Sequence, residues 1–172
     1  MATIIGQADA PPARRNLAPD TYERILSGGA VILLIAILAA LWRGREQFDR
    51  VPGPVWLHLA TITLAVALTP VLLLGRRGAR RHRTVGTIWV VAMLATAASS
   101  FLIREIANGR PSLIHVLSAW TLFQVPLLWW LARTHQVERH RRAVRALVTG
   151  ALLVAGFFTF PFNRLLGHWL FG

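Results

Sequence analysis

The chain contains no cysteine and no lysine, and each absence removes a class of chemistry. Without cysteine there is no disulfide, no thiolate nucleophile, no cysteine-ligated zinc and no iron–sulfur cluster. Without lysine there is no Schiff-base nucleophile, and the single tyrosine, Tyr22, lies close to the N-terminus. The sequence also lacks a phosphate-binding loop, a nucleophile elbow and paired carboxylates. Enzymatic activity is therefore uncertain, and a role other than catalysis is favoured.

Charged residues of any kind are scarce. They make up 15% of the 172 residues, whereas hydrophobic residues make up 55% and the mean hydropathy is +0.51. A soluble domain of this length carries charge on about a quarter of its residues. The composition therefore excludes a disordered chain, a coiled coil and an ordinary soluble enzyme, and it favours a multi-span membrane protein.

Five apolar runs account for most of the chain. Each is close to the ~20 residues that a helix needs to cross ~30 Å of hydrocarbon, and a span without water to bond its backbone must be helical. The runs are Ile25–Trp42, Val55–Leu74, Val85–Ile103, Leu113–Ala132 and Ala146–Phe162. We therefore predict an all-α fold with a polar tail at 1–24 and a transmembrane domain at 25–172. In this domain, helices 2–5 form the core and the first helix packs outside it.

The net charge of +12 comes entirely from arginine, with nineteen arginines against seven acidic residues. Such a charge can indicate nucleic-acid binding, but here the arginines cluster in short gaps between apolar runs, which is typical of cytoplasmic loops. The gaps after the second and fourth runs are the most basic. The sequence therefore predicts a multi-pass protein of the bacterial inner membrane with a cytoplasmic N-terminus. Its partners are the lipid bilayer and, as one hypothesis, other membrane subunits, with no nucleic acid.

The second and third runs resemble the fourth and fifth. Each unit contains, in the same order, a histidine, a proline and an Arg-His-Arg sequence. In the first unit these are His58, Pro70 and Arg81-His82-Arg83, and in the second they are His115, Pro126 and Arg139-His140-Arg141. Two hairpins inserted in the same direction form a parallel repeat, as in some transporters. The repeat predicts that His58 and His115 lie at one depth of the membrane and that His82 and His140 lie at another.

These four histidines suggest haem b as a cofactor, because a bis-imidazole site takes one ligand from each of two neighbouring helices. The pairs would be His58 with His115 and His82 with His140, and the nearby arginines could pair with the haem propionates. The arrangement resembles the di-haem cytochromes of the ascorbate-reducing kind, although His82 and His140 lie at or before the start of their runs. The alternative is that His58 and His115 form hydrogen bonds between helices, and that His82 and His140 face water and lipid headgroups.

Several short motifs occur together in an order that resembles a known family. They are His82–Trp89, Thr96–Arg104, Ile114–Ser118, His140–Ala143 and Ala155–Thr159. The family comprises uncharacterised bacterial multi-span proteins catalogued as domain of unknown function 2306. The resemblance covers roughly residues 55–172 and implies a helical membrane fold, but it implies no activity. The family has an arginine where this chain has Thr87, so no role of that arginine is carried over.

Three functions are compatible with these observations. The first is an accessory or structural subunit of a larger membrane complex, since the chain is small and its loops are short. The second is a b-type haem protein that passes electrons across the membrane. The third is a small transporter or lipid-binding protein, which the repeat favours together with Gln124 inside the fourth run and Arg104 at the end of the third.

Overall fold

Every regular element in the described part of the chain is helical, in agreement with the predicted all-α class. The computed structural model describes residues 18–103, 113–161 and 164–172. The long helices are α1 (Thr21–Arg43), α2 (Gly53–Leu74), α3 (Arg80–Ser100), α4 (Leu113–Arg133) and α5 (Val137–Leu147). A 3-10 turn (Arg45–Arg50) follows α1, and α5 continues through a π-helical segment (Val148–Val154) into α6 (Ala155–Phe157), before α7 (Leu165–Phe171).

The start of α1 is determined by a capping box. The Asp20 carboxylate accepts a hydrogen bond from the Glu23 N–H at 3.0 Å, and the Glu23 carboxylate accepts one from the Asp20 N–H at 3.1 Å. These bonds satisfy two donors that a helix end leaves unpaired. The helix therefore begins at Thr21, one turn before the apolar run, and residues 21–24 belong to it rather than to a polar tail.

Two helices, α1 and α2, are long and apolar enough to cross a membrane. The outer side of α1 carries large apolar side chains that are mostly exposed, among them Ile32 and Trp42, both 71% exposed. Soluble monomers rarely expose a continuous surface of this kind. The two helices are therefore consistent with a membrane location.

The inner side of α1 forms part of the core, which differs from the expectation that this helix packs outside the bundle. Its buried residues recur at helical spacing, and they include Leu26, Ala30, Leu33 and Ile37. The helix contacts α2, the π-helical segment and α7. A Cβ atom on Gly156 would lie 2.6 Å from the end of the Leu33 side chain, so Leu33 would have to shift to accommodate it.

Small polar residues line the contact between α2 and α3. The buried Trp89 indole donates to the Thr69 hydroxyl at 3.0 Å, and the Thr96 hydroxyl donates to the Thr61 hydroxyl at 2.8 Å. At the far end of α3, the Ser100 hydroxyl donates to Ser118 of α4 at 2.6 Å. The sequence predicts that these faces turn toward other helices, and the contacts agree with it.

The arginine-rich segments are helical, whereas the apolar pattern predicts loops there. Residues Arg80 to Arg83 form the first turn of α3, and Arg139 to Arg145 lie within α5. Hydropathy marks where a chain can enter hydrocarbon, but a helix does not have to end at that depth. Because arginine is a good helix former, both helices extend beyond their apolar runs.

The C-terminal helix α7 packs back onto the end of α1. Trp169 is 3% exposed, its indole donates to Gln47 at 3.0 Å, and its ring centroid lies 5.7 Å from that of Phe48. A Cβ atom on Gly44 would lie 2.1 Å from the same indole. The position of Trp169 in the sequence, close to the end of the chain, would suit an anchor in the membrane interface, but its side chain is part of the core.

Candidate functional site

The most unusual residue of the described chain is a buried carboxylate, Glu23. Its side chain is 1% exposed, although it belongs to the first turn of α1. An unpaired carboxylate in such a position would cost several kcal/mol, so partners are required. Three arginines from two other segments supply them.

The three arginines are Arg77, between α2 and α3, and Arg141 and Arg145, both on α5. Arg77 forms a direct ion pair with Glu23. Arg141 donates from Nε to Glu23 Oε1 at 2.8 Å and from Nη2 to Oε2 at 3.0 Å, which is a bidentate pair, and Arg145 Nη2 lies 3.2 Å from Oε1. Asp20 pairs with Arg145 and, at 3.3 Å, with Arg141. We call these five residues the carboxylate–arginine cluster.

The contacts within the cluster shift the pKa values of Asp20 and Arg141 toward the charged forms of these side chains. The hydrogen bond from the Glu23 N–H is the main cause of the lowered pKa of Asp20, and Arg145 contributes to it. The hydrogen bond to Glu23 raises the pKa of Arg141 above its usual value. Because Arg77 and Arg141 share one carboxylate, the α2–α3 and α4–α5 connections lie at the same end of the molecule.

Sequence reasoning missed this cluster, although one signal for it was present. An Asp followed three residues later by Glu, immediately before an apolar run, is the pattern of a capping box. It would have placed Asp20 and Glu23 at the start of a helix. It would not have identified their partners, because Arg77 and Arg141 lie 54 and 118 residues from Glu23.

We call His82 and His140 the inner pair. The two histidines of this pair lie close enough to interact electrostatically, and both are near Arg77 of the cluster. His140 Nδ1 is hydrogen-bonded to the Leu128 carbonyl at 2.9 Å, whereas His82 Nδ1 is buried without a hydrogen-bond partner. Burial lowers the pKa of both imidazoles, and for His82 the nearby His140 and Arg77 lower it further. These shifts favour the neutral form of both side chains, which is the form that ligates iron.

His58 and His115, the outer pair, are arranged differently. His58 contacts α3, and His115 contacts Phe101, the residue that follows α3. His58 Nδ1 lies 3.1 Å from the Thr96 carbonyl and 3.3 Å from the Ser99 hydroxyl. The His115 ring lies 5.6 Å from that of Phe101. Neither contact joins the two imidazoles directly. The hydrogen bonds of His58 agree with the alternative that it links helices, and haem ligation by His58 and His115 stays a prediction.

Other predicted residues contribute less to a site. Gln124 is half-buried on α4, and Arg104 lies outside the described residues. Within the described ranges no three histidine or acidic side chains are grouped as metal ligands. One cavity of about 300 Å³ is lined by Phe160 and Phe171. A second, of about 290 Å³, lies between α2 and α3 near Leu64, and no histidine of the described residues lines it.

Comparisons with protein-family models, with curated proteins and with solved structures gave no match to this chain. The resemblance to the family of multi-span membrane proteins therefore stays a prediction.

Proposed function

We propose that this chain is a multi-pass inner-membrane protein that serves as an accessory or structural subunit of a larger membrane complex. The observation that carries the proposal is the carboxylate–arginine cluster. It joins the first helix, the α2–α3 connection and α5 through one buried carboxylate. A charge network with all its members engaged is suited to holding helices in register, and none of its five side chains is left free to act as an acid or a base.

The interior polar groups of the bundle support the same proposal. Thr69 and Trp89 bond to each other, Ser100 bonds to Ser118, and His58 bonds to α3. These groups satisfy one another instead of converging on an open cavity, which is the usual form of an active site. In this proposal five helices cross the bilayer, with α2–α3 and α4–α5 as parallel repeats and the arginine-rich end in the cytoplasm.

Co-purification tests the accessory role. The full-length protein carrying an affinity tag would be extracted from its native membrane in a mild detergent and again in a harsh one. We expect a stoichiometric partner after mild extraction, which the harsh detergent removes. A protein that runs alone under both conditions would refute the proposal.

Cysteine accessibility tests the topology, because the chain contains no cysteine of its own. Single cysteines at Arg76 and Arg142 should be labelled from the cytoplasmic side by a membrane-impermeant maleimide. A cysteine at Asp49 should be labelled from the other side. Labelling of the first two positions from opposite sides would exclude the proposed arrangement.

A second candidate function, haem-dependent electron transfer, is favoured by the proximity of His82 and His140. The residues fit such a group in two respects. The hydrogen bond to the Leu128 carbonyl orients the His140 ring and leaves its Nε2 atom available as a ligand. The positive charge of Arg77 nearby would attract the haem propionates, whereas it would repel a bare divalent cation. Haem would supply one-electron chemistry at this end of the bundle.

An absorption spectrum of the purified protein decides this candidate. If haem is bound at the inner site, a Soret band is expected in the native protein and should be lost in both His82→Ala and His140→Ala. His135→Ala, which changes an exposed histidine of the same end, should leave the band unchanged. A preparation without a Soret band after growth with added haem precursor would exclude it.

A further inference from the structure

A surface of six arginines surrounds the carboxylate–arginine cluster. These residues are exposed, and within the described part of the chain none of them has an ion pair or a side-chain hydrogen bond. They are Arg24, Arg76, Arg80, Arg81, Arg83 and Arg142. Each lies within two residues of Glu23, Arg77, His82 or Arg141, so all six belong to one end of the molecule. We call them the arginine surface.

The positive charge of this surface is not neutralised from within. The carboxylates of Asp20 and Glu23 are already engaged by Arg77, Arg141 and Arg145. Glu138 is the other acidic residue described at this end. Anions from outside the described chain must therefore balance the six arginines.

At the opposite end of α1 the positive charge is largely balanced by acidic residues. There Arg43, Arg45 and Arg50 are accompanied by Glu46 and Asp49, so the segment is close to neutral. Arg45 also donates to the Trp42 carbonyl at 3.1 Å and stacks over the Trp42 ring. The charge asymmetry is therefore a property of one end and not of the whole protein.

The surroundings of the arginine surface are apolar, and they indicate which anion it meets. Ile25, directly after Arg24, is 64% exposed. At the same end of the bundle, Trp129 and Trp130 are 41% and 54% exposed, and Arg133 stacks over the Trp129 ring at 4.6 Å. Aromatic and basic side chains at the rim of apolar helices are typical of the headgroup level of a bilayer.

We propose that the arginine surface binds the phosphate groups of anionic phospholipids in the leaflet beside it. The proposal rests on the membrane location proposed above. Guanidinium groups pair with phosphate through two parallel hydrogen bonds, and the neighbouring apolar side chains lie where the acyl chains begin. Each arginine near an anionic membrane surface contributes about a fivefold gain in affinity.

The experiment uses the full-length protein in a neutral detergent. It would be titrated with dioleoyl phosphatidylglycerol and, separately, with dioleoyl phosphatidylcholine, and bound lipid would be counted by native mass spectrometry. The test variant is Arg80→Gln/Arg81→Gln/Arg83→Gln. The matched control is Arg43→Gln/Arg45→Gln/Arg50→Gln, which removes the same charge from the other end.

We expect the native protein to prefer phosphatidylglycerol, and the test variant to bind it roughly a hundredfold more weakly, from three fivefold losses. The control variant should bind it as the native protein does. Equal binding of the two lipids, or an equal loss in both variants, would overturn the proposal. The thermal unfolding curve of each variant is compared with that of the native protein, as a check that the helical bundle is intact.

Competition identifies the source of the phosphate. Inorganic phosphate at millimolar concentration should not displace the lipid, since it lacks acyl chains. Displacement by it would assign the surface to a free anion, and preferential displacement by a short oligonucleotide would assign it to nucleic acid, so either result overturns the lipid proposal. A protein that sediments with membranes but shows no lipid preference would refute this inference alone, whereas a protein absent from membranes would refute the proposed function too.

Discussion

Replacing the buried Glu23 by Gln should destabilise the protein more than the removal of any exposed charge. Gln is nearly isosteric, and its amide oxygen can still accept the Asp20 N–H that completes the helix cap. The substitution therefore removes the charge and leaves the cap in place. Arg141 and Arg145 would then share only the half-exposed Asp20. Arg77 would lose its ion pair with Glu23.

The magnitude follows from the burial of the pair. Breaking a buried ion pair by removing one partner costs about 3–5 kcal/mol. The three arginines are 14–24% exposed, so water screens part of the loss and the lower end, about 3 kcal/mol, applies. For a chain of this size that corresponds to a fall in Tm of roughly 6–12 °C.

The assay is thermal unfolding in detergent, followed by intrinsic tryptophan fluorescence. Glu46→Gln is the matched control, because Glu46 is exposed at the other end of α1, and its Tm should change by less than about 1 °C. Adding Arg141→Gln to Glu23→Gln should restore part of the stability, since it removes one of the unmatched charges. A Tm for Glu23→Gln within 1 °C of the native value would refute the reasoning.

Two further predictions concern other parts of the molecule. Because burial lowers the pKa of His82 and His140 below 6.5, the unfolded chain binds more protons near that pH, and stability should fall as the pH drops below about 6.5. His82→Gln should flatten this dependence in a series of Tm measurements, and an unchanged slope would contradict it. Gly44→Ala should cost about 1–3 kcal/mol because its Cβ would meet the Trp169 ring. Gly28→Ala, which meets nothing within 4 Å, should cause no loss of Tm, and equal effects of the two changes would exclude the argument.

The features that could be predicted from the sequence are those that repeat along one helix. The small polar face of α2 at Thr61, Ala65 and Thr69 has helical spacing, and it packs against α3 as expected. The spacing of Trp89 and Thr96 on α3 was informative for the same reason. Such patterns are local, so they do not depend on knowing how the helices are arranged.

The carboxylate–arginine cluster could not be predicted in this way. Any of nineteen arginines was a possible partner for Glu23, and the packing of α1 against the π-helical segment that continues α5 selects Arg141 and Arg145. The histidines show the same limit. Their spacing predicts two similar pairs, but it does not predict the hydrogen bonds of His58 and His140 to backbone carbonyls of neighbouring helices, which depend on how the helices pack.

The distance along the chain between Glu23 and Arg145 has a consequence for biosynthesis. The first helix emerges from the ribosome with its carboxylate unmatched, and more than a hundred residues must follow before α5 can supply two of its three guanidinium partners. During that interval Arg77 is its only partner among the three arginines. A helix that is synthesised late, α5, therefore completes the ion pairs of the helix that is synthesised first. A nascent chain released before α5 would keep the Glu23 carboxylate without two of its three arginine partners.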